Sequence, residues 1–254
     1  MPLVSGTRRV AGLRVHEVAS PARPGLTVVG IHGLGVSTRH LRPILEALAP
    51  HRRVVALDLP GFGRSERPPR ALGVETLATV VRAWLAGIGV GRGVLLGNSM
   101  GCQVAVEVAV RWPALVDRLV LVGPTRDPAA PTLARQLARL ALDSTRESAR
   151  LNGVVASDYL RAGPVRTARA ARAMVRHPIE RRLPLVQAPV LVVRGSRDPI
   201  APAAWAEHVA ALAPAGRAAV VPGAAHAAHF THPEALRELV LPFLREDAGE
   251  PARR

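Results

Sequence analysis

A serine stands between two glycines in the segment Gly97-Asn98-Ser99-Met100-Gly101, which follows an apolar run and opens a predicted helix. A strand that turns at once into a helix strains the backbone of its corner residue, and glycines on both sides keep Cβ atoms out of the crowded corner. Such a corner would hold the Ser99 hydroxyl out at the carboxyl edge of a sheet, where it could act as a nucleophile. In a glycine-rich chain the same spacing can also be a simple turn, so further residues must support the chemistry.

A serine hydroxyl attacks a carbonyl group only when a base removes its proton. His226 lies in the segment "VPGAAHAAHF", in a short glycine-containing loop after the last predicted strand, where an imidazole could face the serine. Asp198, in "VVRGSRDP", follows the preceding strand and could fix the tautomer of that imidazole and stabilise its charged form. With Ser99 these residues occur in the order serine, acid, histidine, and together they predict acyl transfer.

The oxyanion that forms during acyl transfer needs preorganised backbone donors. One candidate donor is the N–H group of Met100, and the other is the N–H group of Leu34 in the "HGLG" loop after "TVVGI". Three neighbouring residues, Asn98, His32 and His229, are candidates for contacts with substrate. For His32 the favoured interpretation is structural, since a histidine at this position commonly shapes the turn. Asn98 could equally pack in the core, and His229 could line the pocket or pack.

Short apolar runs alternate with helical patterns along the chain, which predicts right-handed βαβ crossovers and an α/β fold with a doubly wound, mostly parallel sheet. Most strand candidates are too uniformly apolar to have a solvated face, so helices must cover both sides. The predicted strands cover residues 13–18, 27–31, 53–57, 94–97, 118–122, 190–193 and 218–221. The predicted helices cover residues 39–49, 74–87, 100–111, 201–213 and 233–245.

The alternation breaks between "LVGPT" and "APVLVV", where about sixty residues contain helical stretches but no convincing strand. We expect residues 1–125 and 188–254 to form the core domain and residues 126–187 to form a helical cap inserted over the sheet. The terminal segment "EDAGEPARR", residues 246–254, is expected to be frayed.

The segments "IHGLG", "DLPGFGRS", "GNSMG", "RGSRDP" and "PGAAH" occur in the order and at the separations typical of the α/β-hydrolase superfamily, which the chain resembles along nearly its whole length. The resemblance implies Ser99 as nucleophile, His226 as general base and then acid, and Asp198 as the orienting acid. It also implies that the insertion is a cap domain. Some members of the superfamily carry the acid one strand earlier, where Asp127 stands, but the "RGSRDP" match favours Asp198.

The expected reaction is hydrolysis of a carboxylic ester, or of a related acyl bond, in a small molecule through an acyl-enzyme intermediate. Epoxide hydrolases and dehalogenases of this fold need aspartate where Ser99 stands. "GNSMG" also resembles the hydrolases that cleave a C–C bond in ring-fission diketones, but those usually have Trp after the catalytic histidine, where this chain has Ala227. A C–C bond hydrolase, a lyase or cyclase that uses the same triad, and a ligand-binding receptor remain alternatives.

The composition limits the partners. The formal net charge is +15 and all 34 basic residues are arginine, but they are spread along the chain without the signature of a nucleic-acid-binding module. The single cysteine, Cys102, allows no intrachain disulfide and is expected to be a buried packing thiol. We expect no metal, no cofactor, no signal peptide and no membrane span, which favours a cytoplasmic protein that acts on a small molecule. The sequence leaves open whether the protein forms a homodimer.

Charged residues in the insertion raise a question about the substrate. Residues 126–187 contain twelve arginines, such as Arg161, Arg166 and Arg169, against five acidic residues. The arginines could attract an anionic substrate, since guanidinium groups match carboxylates well, but a solvated basic face is the favoured interpretation.

Asp58, in "DLPGFGRS", is expected to fix a turn through bonds to backbone N–H groups.

Overall fold

In the computed structural model, which describes residues 2–245, the apolar segments form one eight-stranded sheet. Its spatial order is β1-β2-β4-β3-β5-β6-β7-β8, and only the pairs β1–β2 and β2–β4 are antiparallel. The expected doubly wound, mostly parallel sheet is therefore confirmed, while the expectation for residues 246–254 lies outside the described residues. The strands are β1 (Val4–Val10), β2 (Leu13–Ala19), β3 (Thr27–Ile31), β4 (Val54–Leu57), β5 (Gly93–Asn98), β6 (Val116–Val122), β7 (Val190–Gly195) and β8 (Gly216–Val221).

The central strands are buried on both faces, as their uniformly apolar sequences predict. Successive residues of a strand point to opposite faces. In β5, Leu95 packs into one core cluster, whereas Val94 and Leu96 pack into the other. The sheet thus separates two hydrophobic layers, each of which needs a covering of helices.

Helices α2, α3 and α8 cover one face of the sheet, and α1 and α10 cover the other. The observed bounds differ from the predicted ones by at most two residues. The helices of the core are α1 (Thr38–Leu48), α2 (Val74–Gly87), α3 (Met100–Arg111), α8 (Ala203–Leu212), α9 (Ala228–Thr231) and α10 (Pro233–Phe243), and a short 3₁₀ helix covers Pro113–Leu115.

The sequence analysis missed the first strand. β1 pairs with β2 in an antiparallel hairpin, and its burial is slight because it forms the edge of the sheet. The turn consists of Ala11 and Gly12, which have φ values of 49° and 81°. Positive φ at both central residues is typical of the two-residue hairpin turn whose twist matches that of the strands. Because the strand has little apolar patterning, hydrophobic periodicity could not reveal it.

Between β6 and β7 the chain forms only helices, as the sequence predicts for this segment. We call residues 126–187 the insertion. Its helices are α4 (Leu133–Ser144), α5 (Ala149–Ala162), α6 (Pro164–Arg176) and α7 (Ile179–Arg182), followed by a 3₁₀ helix over Leu183–Leu185. Helix α5 packs against α1, α7 packs against α3, and the 3₁₀ helix packs against α3 and α8.

Candidate active site

The sharp corner expected at Ser99 is present. Strand β5 ends at Asn98 and α3 begins at Met100, so Ser99 alone makes the turn between them. Its backbone has φ 56° and ψ −121°, a combination that costs a residue with a side chain about 1–3 kcal/mol. The Ser99 N–H group donates to the carbonyl oxygen of Val122 at the end of β6, 3.0 Å away, which anchors the corner to the neighbouring strand.

The two glycines beside this corner allow the helix to approach the sheet. A Cβ atom on Gly97 would lie 2.5 Å from the carbonyl oxygen of Gly101. A Cβ atom on Gly101 would lie 2.2 Å from the carbonyl oxygen of Ile31 in β3. Both distances are far below van der Waals contact, so glycine is required at both positions for α3 to start directly beneath Ser99.

The expected histidine–carboxylate pair is also present. Nδ1 of His226 lies 3.0 Å from Oδ2 of Asp198, and both side chains are buried. The other carboxylate oxygen of Asp198 accepts from the N–H groups of Ile200 and Ala201, at 2.8 and 3.0 Å. Because three hydrogen bonds hold this carboxylate, it presents one oxygen to the imidazole in a fixed direction.

The electrostatic surroundings of His226 favour its protonated form. Burial alone would lower the pKa of its imidazole, but the adjacent Asp198 carboxylate outweighs burial, with further contributions from Asp143 and Glu147, and raises the pKa to about 9. Nε2 is buried and has no hydrogen-bond partner within residues 2–245. The imidazole is therefore anchored through Nδ1 and free to exchange a proton through Nε2.

Gly123, which follows β6, provides the surface on which the pair packs. A Cβ atom on this glycine would lie 2.8 Å from Nδ1 of His226 and 3.2 Å from Oδ2 of Asp198. Its φ of 58° is also unfavourable for other residues. Sequence analysis missed Gly123 because the strand after the serine corner carries no motif that points to the histidine.

Ser99 and His226 line one cavity of about 620 Å³. Leu34 and Asn98 also line it, whereas Met100 is buried as the first residue of α3. The first N–H groups of a helix have no partner within the helix, which leaves that of Met100 available to an oxyanion. The amide group of Asn98 donates to the Val122 carbonyl oxygen at 3.1 Å, so this side chain is fixed while it faces the cavity.

Two of the candidates for substrate contacts, His32 and His229, have structural partners. His32 is fully buried, its Nδ1 lies 2.7 Å from the Gly33 carbonyl oxygen, and its Nε2 accepts from the Leu59 N–H group at 2.8 Å. Both ring nitrogens are thus occupied by backbone, and His32 shapes the loop instead. His229 is fully buried as well, and it does not belong to the described residues that line the cavity.

A histidine that the sequence analysis did not consider takes this place. His40, in α1, lines the cavity, and its Nδ1 lies 2.9 Å from Nε2 of His229. Burial, with smaller effects from His226 and His32, lowers the pKa of His40 to about 3, so its ring is neutral near pH 7. The only signal in the sequence was its position one turn into the helix after the "HGLG" loop.

The remaining candidates have structural partners. Asp127 accepts from Arg139 at 2.6 Å and from the Ala129 N–H group at 2.9 Å, which removes it as the alternative acid. Asp58 accepts from two backbone N–H groups, at 2.7 and 2.8 Å, and so fixes a turn as expected. Cys102 is buried, and burial raises the pKa of its thiol, which keeps the sulfur protonated.

The charges that line the cavity differ from those that dominate the insertion. No arginine of the described chain lines it, although two carboxylates of the insertion, Asp143 and Glu147, do. Burial raises the pKa of both carboxyl groups. The apolar lining includes Leu133, Leu137, Leu140, Leu151, Val155 and Met174. The arginines of the insertion therefore do not provide an anion-binding pocket next to Ser99.

Within residues 2–245, no group of three or more His, Cys, Asp or Glu side chains is arranged to hold a metal ion. No helix in that range is long and apolar enough to cross a membrane.

Comparison with known proteins places this geometry in context. A family model described as the alpha/beta hydrolase family matches residues 28–239. The chain is 30% identical over 236 residues to the pimeloyl-[acyl-carrier protein] methyl ester esterase of Edwardsiella ictaluri, covering 82% of this chain and 88% of that enzyme. It is 32% identical over 262 residues to the polyketide synthase ThaQ of Burkholderia thailandensis, where it covers 87% of this chain and only 12% of that much longer protein.

Solved structures show the same fold. A thermophilic esterase from Thermogutta terrifontis superimposes with a TM-score of 0.80 at 24% sequence identity, over 96% of this chain and 98% of that one.

Proposed function

The chain belongs to the alpha/beta hydrolase family, and from this premise we propose that it is a serine hydrolase that cleaves a carboxylic ester or related acyl bond of a small molecule. Ser99 is the nucleophile, His226 the general base and Asp198 the orienting acid. The observation that carries the proposal is the buried His226 ring in the same cavity as the strained serine. This ring is bound to Asp198 through Nδ1 and has no partner at Nε2 among the described residues.

In the first half of the reaction, Oγ of Ser99 attacks the carbonyl carbon while Nε2 of His226 takes the hydroxyl proton. The N–H groups of Leu34 and Met100 donate to the oxyanion of the tetrahedral intermediate. The intermediate collapses as the bond to the leaving group breaks, and the proton on Nε2 passes to the leaving alcohol. The acyl group remains esterified to the serine.

In the second half, water attacks the acyl carbon and gives a proton to the same nitrogen of His226. Collapse of the second tetrahedral intermediate breaks the bond to Oγ of Ser99, which regains the proton as the carboxylic acid is released. Asp198 remains ionised throughout and stabilises the imidazolium that forms in each half-reaction.

The cavity supports a neutral, largely apolar substrate. Its lining combines leucine, valine and methionine side chains with two carboxylates and no arginine in the described chain. The insertion contributes most of these side chains, from α4, α5 and α6, which supports its proposed role as a cap over a core formed by residues 1–125 and 188–254. We propose that the arginines of the cap form a solvated face.

Labelling with a fluorophosphonate, followed by turnover of a short-chain p-nitrophenyl ester, tests the proposal. We expect a covalent adduct on Ser99, a burst followed by steady turnover, and loss of both in S99A. Turnover of a ring-fission diketone without ester hydrolysis would favour a C–C bond hydrolase. A wild-type protein that resists acylation would contradict the proposal and favour a lyase or a cyclase. Saturable binding of a small molecule without turnover would favour a receptor.

A further inference from the structure

The insertion is bonded directly to the loop that carries His226. Oδ1 of Asp143, in the last turn of α4, accepts from the backbone N–H group of His226 at 3.0 Å. Oε1 of Glu147 accepts from the N–H group of the next residue, Ala227, at 2.7 Å. Two successive backbone donors of the loop are therefore satisfied by carboxylates that lie more than seventy residues away in the chain.

The same part of the insertion also contacts the loop that carries Asp198. We call residues 143–147 the clamp turn. Within it, the guanidinium group of Arg146 donates to the carbonyl oxygen of Arg197 at 2.7 Å, one residue before Asp198. The clamp turn is thus hydrogen-bonded to both loops that position the histidine–carboxylate pair, and no other segment of the insertion is seen to bond to the backbone of His226 in the described chain.

The loop of His226 depends on these acceptors. It connects β8 with the short helix α9, and buried backbone N–H groups in such a loop cost free energy unless they are hydrogen-bonded. A carboxylate accepts a stronger hydrogen bond than a carbonyl group does. Because the acceptors belong to the insertion, a displacement of the insertion would leave the two N–H groups without them and release the loop.

We propose that Asp143 and Glu147 are positioning residues, which hold the His226 loop in place and make the geometry of the base depend on the insertion being closed over the sheet. This inference rests on the role proposed above for His226. Neither residue needs to react with substrate. Each holds the backbone of the His226 loop by a hydrogen bond, and each stabilises the protonated form of the His226 ring.

The charges around His226 add a second effect. The ring faces Asp198 from the loop after β7, Asp143 and Glu147 from the clamp turn, His40 from α1 and His229 from α9. Burial lowers the pKa of both neighbouring histidines, so their rings are neutral near pH 7. Arg146 lies close enough to Asp143 to oppose part of its field. The two carboxylates therefore help to raise the pKa of the base, Asp143 more than Glu147.

Two pairs of variants separate the positioning of the His226 loop from the negative charge beside the His226 ring. In D143N and E147Q an amide oxygen can still accept the backbone hydrogen bond, so only the charge is lost. In D143A and E147A the acceptor is lost as well. E180Q is the matched control, because Glu180 is an acid of the same insertion that pairs with Arg126 and does not line the cavity. The rate of Ser99 labelling by a fluorophosphonate is measured against pH, and the His226 ring is titrated by NMR.

We expect D143N and E147Q to move the acid limb of the labelling rate, and the pKa of His226, to lower pH, with the larger shift in D143N. In D143A and E147A the plateau rate should also fall, by about tenfold to a hundredfold, as expected when a catalytic group is misplaced by about 1 Å. E180Q should change neither quantity.

Wild-type plateau rates and an unchanged His226 titration in folded D143A and E147A would overturn the inference. Glu147 is only half buried, so E147A provides the result if D143A does not fold. The two proposals fail separately. If wild-type Ser99 is never labelled, the proposed hydrolysis is wrong. The positioning role still stands if the NMR signals of the His226 ring differ between D143A, which lacks the acceptor, and D143N, which keeps it.

Discussion

Replacing Gly101 by alanine should damage both the stability and the chemistry of this protein. The added Cβ atom would lie 2.2 Å from the Ile31 carbonyl oxygen and 2.8 Å from that of His32. Carbon and carbonyl oxygen atoms approach to about 3.3 Å in proteins, so α3 and β3 must separate by about 1 Å. The obstacle is backbone of a central strand, which cannot rotate away as a flexible side chain would.

The size of the effect follows from this displacement. Overpacking a rigid core costs about 1–3 kcal/mol, and we expect the upper end because neither partner can rotate. In a domain of this length that corresponds to a decrease in Tm of about 6–12 °C. The displaced helix carries the serine corner and the Met100 N–H group, and a shift of about 1 Å at such a site lowers the rate by about a hundredfold.

Gly153 provides the matched control. It lies inside α5, is exposed, and has no neighbour within 4 Å of the position of an added Cβ atom. Alanine there should stabilise the helix by about 0.5–1 kcal/mol, which raises Tm by about 1–4 °C. Thermal unfolding followed by circular dichroism, with fluorophosphonate labelling of the folded proteins, compares the two. A G101A variant that melts and labels like the wild type would refute the close-packing argument.

Three further predictions address strain, substrate charge and pH. S99G should have a Tm a few degrees above that of the equally inactive S99A, because glycine tolerates the backbone angles of the corner; equal values would argue against stored strain. A neutral ester should be hydrolysed at least about tenfold faster than its carboxylate-bearing analogue, since no arginine of the described chain lines the cavity to pair with the added charge; equal rates would support an anionic substrate instead. The pKa of His226 is raised from 6.5 to about 9, so its stabilising contribution is complete below pH 6.5 and is lost as pH rises through about 9. In D198N the fall in Tm over this pH range should be smaller. The same dependence of Tm on pH in D198N and the wild type would contradict a pKa of about 9 for His226.

Seven of the eight strands could be predicted from sequence because each contains a short apolar run, which is buried in the central strands and partly exposed in β2 and β8. The serine corner was also predictable, since its glycines, serine and flanking elements are adjacent in the chain. β1 was not, because Val4–Val10 is a mostly polar segment that is held by backbone pairing with β2. The other edge strand, β8, could be predicted because its side chains are mostly apolar. Hydrophobic patterning therefore detects apolar strands and misses polar ones.

The histidines show a second limit. His229 stands three residues after His226, and this proximity in sequence made it a candidate for the cavity. The short helix α9 turns it toward His40 instead, and His40 from α1 reaches the cavity. Which of several histidines faces a cavity is decided by contacts between distant elements, and a single sequence carries no local signal for such contacts.

The placement of charge in the insertion has a physical cause that composition does not reveal. A net charge of +15 and twelve arginines in the insertion leave open whether cations face the substrate, although a solvated basic face is the favoured interpretation. A guanidinium group has only donors and loses its hydration on burial, so it stays at the surface unless an acid accompanies it. Asp143 and Glu147 can enter the cavity because the loop of the base supplies each of them with a backbone N–H group. The carboxylates at the site are thus explained by buried N–H groups that need acceptors, and none of the arginines in residues 2–245 lines the cavity.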